Sequence, residues 1–462
     1  MMKALVDPNR ALAEGLGRIR RQFQVPETFP QEVMAAAESA AGRAPTAHAD
    51  RTDRPFVTLD PASSTDLDQA FAIEGSGPDL LLHYAIADVA WFVDHGGPID
   101  AEAWRRGATQ YLPDGKAGLY PPVLSEGAAS LLPTGPRPAV VFTVRVAPDG
   151  SVRLDGAERA IIRSVAKLAY DSVRDADLPA GFAELSERIK AAEARRGATR
   201  VDPPEQEVAR LDDGRLALRF RPRLASEDRN AALSLATNMA VAEALQARRT
   251  GLFRVMPEPD ARAVARLRRT ARAFGLCWPD MASLAQFERR LDPADPQDAA
   301  FMLAVRRAGA PASYVPYQEG VTPWHAAMAA TYVHATAPLR RLADRYVVEA
   351  ALAVANGRPT PETVEEAFAK LPAVMARAAA AGGQVERAVI DLAETVMLHG
   401  REGETFQAVV TDVDDRGARM QLCALPVVSR IAAPGASPGE ELCVRLNTAD
   451  PHRPPATFER AD

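Results

Sequence analysis

The chain has 462 residues, of which 47 % are hydrophobic and 25 % are charged, and its formal net charge is −6. That length allows two or three domains, and the acidic balance argues against a protein that coats nucleic acid but not against a nucleic-acid enzyme with a local basic groove. No apolar run approaches the roughly 18 residues that span a bilayer, and the three cysteines are scattered, so we expect a cytoplasmic protein without disulfides.

The first 54 residues predict a small helical segment followed by a linker. Residues 11–21 are amphipathic and basic, and Pro30 precedes a second helical pattern. Residues 44–55 are mostly polar and have proline near both ends, as linkers often do. The segment is either a helical cap or a helix-turn-helix, and its arginines are either solvated or in contact with phosphate.

An aspartate-rich loop between two predicted strands follows. Apolar residues alternate at the strand period in 56–59 and again in 71–73, and turn-forming residues lie between them. Asp60 therefore ends the first strand, and Asp66 and Asp68 begin the second. Two carboxylates two positions apart on an extended segment point to one side, where the third can meet them.

Converging carboxylates repel one another unless a cation lies among them, and oxygen ligands suit magnesium or manganese. A solvated acidic turn is the ordinary alternative for such a loop. A calcium loop of the EF-hand type is a second alternative, although its glycine and its closing glutamate are missing.

Strands are predicted to dominate residues 55–165, and helices to dominate residues 165–398. Residues 80–93 are apolar and long enough for a buried central strand, and residues 139–146 and 151–163 resemble a hairpin. Helical periodicity predicts helices at 229–249, 260–274, 338–356, 361–380 and 384–399.

The tail returns to short strands, predicted at residues 405–412, 417–422, 427–432 and 441–446. Four or five short strands in about 60 residues fit a small barrel of the oligonucleotide-binding (OB) kind. Phe406 and Phe458 are essentially its only aromatic residues, and seven arginines face ten acidic residues over 400–462. The sequence alone therefore does not assign RNA binding to this barrel.

Six motifs, in order, resemble those of the ribonuclease II / ribonuclease R (RNB) family of 3′→5′ exoribonucleases. They are residues 60–68 (DPASSTDLD), 84–89 (YAIADV), 111–113 (YLP), 121–133 (PPVLS and SLLP), 166–171 (AKLAYD) and 332–344 (YVHATAPLRRLAD). Each motif alone is weakly specific, whereas six in family order are strongly so.

The patterns and the resemblance together predict an α+β fold with three units. Residues 1–54 form the N-terminal helical segment and linker, residues 55–399 a mixed α/β catalytic domain of the RNB type, and residues 400–462 a C-terminal all-β OB-fold barrel. We expect a monomer with no protein partner and no membrane contact.

The resemblance implies processive, magnesium-dependent hydrolysis of single-stranded RNA from its 3′ end, which releases 5′ mononucleotides. Asp60, Asp66 and Asp68 match the family's metal-site carboxylates, so Mg²⁺ or Mn²⁺ is the expected cofactor. Asp68 is also assigned to catalysis, together with Arg340, which matches an arginine that grips phosphate beside the scissile bond.

Two tyrosines are implied to contact the RNA. Tyr111 matches an aromatic residue that clamps the terminal nucleotide, and Tyr170 matches a tyrosine that touches the RNA near its end. Val201 lies where the family carries a bulky aromatic that sandwiches the terminal bases, so we expect a looser stack here.

One departure affects the metal site directly. The family usually has a fourth aspartate after Asp68, but this chain has Gln69, which carries no charge and is a poorer magnesium ligand. We therefore expect weaker occupancy of one ion and a higher magnesium requirement. Gln69 also favours the alternative of a non-catalytic RNA-binding relative. A DNA-directed metal-dependent nuclease is a further alternative, which the family's recognition of ribose disfavours.

Overall fold

A computed structural model describes residues 11–199, 205–210, 216–221, 223–292, 295–414 and 417–461. The first ten residues of the predicted N-terminal segment lie outside the described residues, as does Val201. None of the described helices is long and apolar enough to cross a membrane.

The described residues form eleven α-helices. They are α1 (Ala11–Gln22), α2 (Gln31–Ala41), α3 (Val89–Phe92), α4 (Pro98–Arg106), α5 (Phe182–Arg196), α6 (Ala225–Ala247), α7 (Ala261–Ala273), α8 (Leu284–Glu288), α9 (Pro296–Ala308), α10 (Leu342–Ala355) and α11 (Glu362–Leu398).

Twenty strands lie in the same described part of the chain. They are β1 (Ala49–Asp50), β2 (Phe56–Asp60), β3 (Gln69–Ser76), β4 (Asp79–Ala87), β5 (Gln110–Leu112), β6 (Gly115–Ala117), β7 (Arg137–Val146), β8 (Val152–Ile162), β9 (Ser164–Ala169), β10 (Glu205–Arg210), β11 (Leu216–Arg221), β12 (Leu252–Val255), β13 (Ser313–Pro316), β14 (Trp324–His325), β15 (Ala330–Thr331), β16 (Thr405–Asp414), β17 (Gly417–Leu422), β18 (Val428–Ile431), β19 (Glu441–Thr448) and β20 (Thr457–Arg460).

A seven-stranded sheet in the order β1-β8-β7-β4-β3-β2-β9 forms the centre of the larger domain. Strand β4 is antiparallel to both neighbours and almost wholly buried, as the apolar run predicts. The run ends as a strand at Ala87, not at Val93, because the Asp88 carboxylate accepts from the Trp91 amide and starts the short helix α3. The prediction of one strand over 80–93 is therefore wrong after Ala87.

The hairpin predicted at residues 139–163 is confirmed as β7 and β8, which pair from Arg137 and Ile162 to Val146 and Val152. Gly150 closes the turn with φ +72°, and a Cβ there would collide with the Arg188 carbonyl of α5. Only glycine combines this left-handed conformation with so close a helix.

Helices α6 and α10 pack against β8, and α10 also packs on α11. The two helices predicted at 361–380 and 384–399 are one continuous helix, α11, although it contains Pro372, Gly382 and Gly383. Each glycine costs a helix roughly 1 kcal/mol, but apolar residues on both sides of the pair are buried, and this packing offsets that cost.

The tail forms a five-stranded antiparallel sheet in the order β18-β17-β16-β19-β20, consistent with an OB-type barrel. Strand β17 alternates strictly between partly exposed and buried residues, so one face supplies a separate core. Its buried members include Phe406, Val410, Met420, Val444 and Phe458. The α+β architecture is confirmed, and the two boundaries between the three predicted units remain predictions.

Candidate active site

The aspartate loop joins β2 to β3 and is fixed at its middle by a serine. The Ser130 hydroxyl donates to the Thr65 carbonyl (2.7 Å) and accepts from the Leu67 amide (2.9 Å), while the Leu67 side chain is buried. Asp60 ends β2 as predicted. The sequence predicted that Asp66 and Asp68 begin the second strand. That prediction is wrong, because β3 begins at Gln69 and both aspartates lie in the loop before it.

Asp68 connects this loop to a segment about 270 residues later in the chain. One carboxylate oxygen accepts from the Leu339 amide (2.7 Å), and the other accepts from Nε of Arg340 (3.2 Å). The side chain is nearly inaccessible, and its burial raises the Asp68 pKa to about 7 against the opposing pull of Arg340 and the Leu339 amide. Two of the sequence motifs therefore meet at one carboxylate.

A second buried aspartate shapes the segment that carries Arg340. Asp344 is 0 % exposed and accepts from the Thr336 amide (3.1 Å) and the Ala337 amide (2.8 Å). It also accepts two hydrogen bonds from the Arg341 guanidinium, at 2.9 and 2.7 Å. These contacts fold residues 336–341 into the turn that presents the Leu339 amide and Arg340 to Asp68.

The helix predicted to begin at Pro338 starts only at Leu342. Arg340 therefore precedes the helix, and its partly exposed guanidinium lies in the turn. The helix predicted over 338–356 is therefore wrong for its first four residues, because the turn held by Asp344 occupies that place.

Asp60 lies close enough to this group to interact with it electrostatically. Burial raises the Asp60 pKa to about 7, Arg340 opposes the rise, and the Asp66 carboxylate adds to it. Asp60 and Asp68 would therefore each be partly protonated at neutral pH unless a further cation stabilised their charged forms.

Asp66 is held by a hairpin made of β5 and β6. The Tyr111 hydroxyl donates to one carboxylate oxygen (2.9 Å), and the Lys116 ammonium lies 2.9 Å from the other. Tyr111 and Lys116 face each other across the two strands. The Tyr111 ring is 57 % exposed, an unusual position for a large aromatic side chain.

Tyr170 lies beside the end of β2, where its amide donates to the Asp60 carbonyl (3.2 Å). Its hydroxyl accepts from the Asn230 side chain (2.9 Å), which also donates to the Leu59 carbonyl (3.2 Å). Burial raises the pKa of the Tyr170 hydroxyl, and the nearby Asp60 raises it further. The hydroxyl therefore stays protonated beside Asp60.

The neutral residue at the fourth loop position has a partner of its own. Gln69 accepts a hydrogen bond on Oε1 from the hydroxyl of Tyr84, a fully buried residue of the adjacent strand β4. That amide oxygen is therefore already engaged within the protein.

The structure assembles the six residues that the sequence singled out, and it adds others. Local spacing could not identify the Leu339 amide, Asp344 or Asn230, because their partners lie far away in the chain. The sequence offered one weak indication of Lys116, because lysine is rare in this chain, with only five among its 55 basic residues.

The loop has the carboxylate oxygens that a divalent cation takes as ligands, but its carboxylates are not arranged as a complete metal site. No group of three or more His, Cys, Asp or Glu side chains in the described residues is close enough to hold a metal ion. Asp66 is engaged by Tyr111 and Lys116, and Asp68 by the Leu339 amide and Nε of Arg340. Burial raises the pKa of Asp60 and of Asp68, and a cation bound to these hard oxygen donors would lower both again. Asp60 and Asp68 are therefore the side chains whose chemistry fits a divalent cation.

Two family models match the chain, the RNB domain over residues 48–355 and the RNase II-type exonuclease C-terminal S1 domain over residues 404–461. Ribonuclease R of Thermotoga maritima is 25 % identical over 440 residues, 87 % of this chain and 61 % of that protein. Ribonuclease R 1 of Lactococcus lactis is 25 % identical over 428 residues, 85 % of this chain and 52 % of that protein. The chain thus spans little more than half the length of these relatives.

Solved structures have the same fold. Mycoplasma genitalium RNase R in complex with ribose-methylated single-stranded RNA superposes with a TM-score of 0.85 at 21 % identity, covering 98 % of this chain and 78 % of that one. Yeast Ssd1, described as a pseudonuclease, superposes with a TM-score of 0.69 at 16 % identity, covering 91 % of this chain and 55 % of that one.

Proposed function

The chain belongs to the family of RNB-domain ribonucleases, and from that premise we propose that it is a magnesium-dependent exoribonuclease. It degrades single-stranded RNA processively from the 3′ end and releases 5′ mononucleotides. It acts as three units, residues 1–54, 55–399 and 400–462, with the catalytic site in the second.

The contact of Asp68 with residues 339–340 is the observation that carries this proposal. It brings the aspartate loop and the arginine motif together across 271 and 272 residues of chain. Burying a carboxylate beside a guanidinium costs desolvation energy that the pair regains only with good geometry. Such an arrangement suits a site that must fix charge in one place.

The proposed roles follow from the position of each side chain. Asp60 and Asp68 hold magnesium, which when bound supplies positive charge and a more acidic water for phosphodiester hydrolysis. Arg340 has its Nε on Asp68 and a partly exposed guanidinium, so its remaining donors can face the phosphate beside the scissile bond.

The two tyrosines orient the RNA. The exposed Tyr111 ring offers a stacking surface for the terminal base, and the hydrogen bond to Asp66 holds that ring beside the carboxylates. Tyr170 is fixed through Asn230 next to Asp60 and contacts the RNA near its end. Both residues act by positioning the substrate.

A non-catalytic RNA-binding protein is the second candidate function. Gln69 favours it, because a neutral residue stands where relatives carry a carboxylate, and its oxygen is bonded to Tyr84. A structural relative described as a pseudonuclease is compatible with this candidate.

Hydrolysis of a uniformly labelled oligoadenylate, with and without Mg²⁺, separates the two candidates. We expect mononucleotide release by the parent chain and a loss of about 100-fold or more in Asp68→Asn, since the substitution removes a charge at the reacting centre. Asp53→Asn makes the same change at an exposed position just before β2 and should be as active as the parent.

Three results would decide against the exoribonuclease or its site. RNA binding by the parent without mononucleotide release would establish the non-catalytic candidate. Equal release by the parent and Asp68→Asn would remove Asp68 from its role. Equal cleavage of a DNA oligomer of the same sequence would contradict RNA as the specific substrate.

A further inference from the structure

The Lys116 ammonium lies among three oxygen acceptors at the edge of the aspartate loop. It is 2.9 Å from Oδ1 of Asp66, 3.1 Å from Oε1 of Glu126 and 3.5 Å from the Thr65 hydroxyl. A lysine ammonium has three N–H donors, so these acceptors can engage all of them. Glu126 belongs to the helical turn at residues 124–128, which places a second carboxylate opposite the loop.

Carboxylate and hydroxyl oxygens are also the ligands that a hard divalent cation takes. An ion bound to Oδ1 of Asp66 at about 2.1 Å would lie within about 5 Å of the ammonium, a distance at which the two positive charges repel strongly. The other oxygen of Asp66 is engaged by the Tyr111 hydroxyl. The protein's own side chains thus already compensate the charge of Asp66.

Residue 69 is a second reason to expect no further divalent ion at this loop. Gln69 brings no negative charge, and the Tyr84 hydroxyl occupies its Oε1. Gln69 therefore adds no anionic oxygen to the loop, whereas a site for two divalent ions needs additional anionic oxygens.

The choice of lysine is notable in this chain, where arginine supplies nearly all of the basic residues and only five lysines occur. Lysine presents a compact point charge on a flexible stem, whereas arginine presents a broad planar fork. Of the two side chains, the ammonium more closely matches a metal ion in size and shape.

We propose that Lys116 is a fixed cation of the site, and that its ammonium takes the place of one of two divalent ions. The loop then binds a single magnesium ion at Asp60 and Asp68, while Lys116 holds Asp66 and, through it, the Tyr111 ring. The inference rests on the proposed function for its meaning in catalysis, but the number of bound ions is measured without any turnover.

Calorimetric titration of Mn²⁺ into the RNA-free chain tests this directly. We expect Lys116→Met to bind one more ion per chain than the parent, because Asp66 and Glu126 lose their resident cation. Lys116→Arg keeps the charge and should retain the parent's count. Lys190→Met removes an exposed lysine from α5 and serves as the matched control.

Equal numbers of ions in the parent and in Lys116→Met would overturn the proposal, as would an extra ion in Lys116→Arg. Thermal unfolding verifies that each variant is folded. Lys116→Gln removes the charge but can still donate a hydrogen bond to Asp66, and it replaces Lys116→Met should that variant not fold.

The same preparations separate this inference from the proposed function. An extra ion in Lys116→Met together with a parent that releases no mononucleotides would support the fixed cation and contradict the exoribonuclease. An active parent that binds the same number of ions as Lys116→Met would support the exoribonuclease and contradict the fixed cation.

Discussion

The active-site region and the C-terminal barrel use charged and aromatic residues in opposite ways. In the site, carboxylates are buried, such as the fully inaccessible Asp344 that pairs with Arg341, while the Tyr111 ring is exposed. In the barrel, Phe406 and Phe458 are buried against each other, and the pair of Arg430 with Asp414 lies at the surface.

This inversion reflects two different tasks. A buried ion pair gives little net stability because desolvation offsets its attraction, so it is best explained by the geometry it fixes. Surface pairs and buried aromatic rings are the ordinary means of keeping a small barrel folded and hydrated. Substitutions of the same chemical kind should therefore have very different effects in the two regions.

Asp344→Ala should give the largest effect. It leaves the partly buried Arg341 guanidinium without its carboxylate and removes the acceptor of the Thr336 and Ala337 amides. We expect a loss of about 3–5 kcal/mol in the free energy of unfolding, measured by urea denaturation. Asp344→Asn, which keeps one acceptor oxygen, should lose less. A loss below about 1 kcal/mol in Asp344→Ala would mean that the Arg341–Asp344 pair contributes no more than a surface ion pair, which would contradict the difference between the site and the barrel.

The sequence predicted the parts of this molecule that depend on local spacing. The strand period placed the loop between β2 and β3, the β7–β8 hairpin and the barrel strands close to their observed positions. It could not reveal that Asp344 organises the arginine turn, because that role consists of contacts to backbone amides. The break predicted near residue 382 was wrong because burial on both sides of the glycine pair outweighs their low helix propensity.

Glu394 tests the border between the two regions. This buried glutamate of α11 accepts from the Gln206 side chain (2.6 Å) and from the Val428 amide of the barrel (2.7 Å). Burial raises its pKa from 4.5 to about 7, so the folded state holds a proton that the unfolded state releases. Stability is therefore highest below pH 4.5 for this group, falls as pH rises, and is reduced by roughly 3 kcal/mol above pH 7.

Glu394→Gln should remove this part of the pH dependence. Thermal unfolding at pH 5 and pH 8 should show a smaller loss of stability at pH 8 in the variant than in the parent. Glu386→Gln, at an exposed position on the same helix, should behave as the parent does. Identical pH profiles of Glu394→Gln and the parent would mean that ionising the Glu394 carboxyl group in the folded state does not lower the free energy of unfolding.

Tyr111 should give a smaller effect, and one confined to RNA. Stacking of a base on an aromatic ring contributes about 1–3 kcal/mol, so we expect Tyr111→Ala to raise KM for an oligoadenylate about tenfold or more. Tyr111→Phe keeps the ring and loses only the hydrogen bond to Asp66, so its KM should change less. An unchanged KM in Tyr111→Ala would show that its exposed ring is not a stacking surface.

Arg430→Ala should give the smallest effect, although its pair with Asp414 has good geometry, with both N–O distances at 2.6 Å. The two side chains are 33 % and 42 % exposed, so water already solvates them and the pair contributes at most about 1 kcal/mol. Arg430 also repels the partly buried Arg419, whose pKa is lowered to about 10 by burial and by neighbouring arginines, and its removal relieves that repulsion. Urea denaturation should therefore show a loss below about 1 kcal/mol that shrinks further in 1 M salt. A loss as large as that of Asp344→Ala would mean that exposure does not separate the two classes of ion pair in this protein.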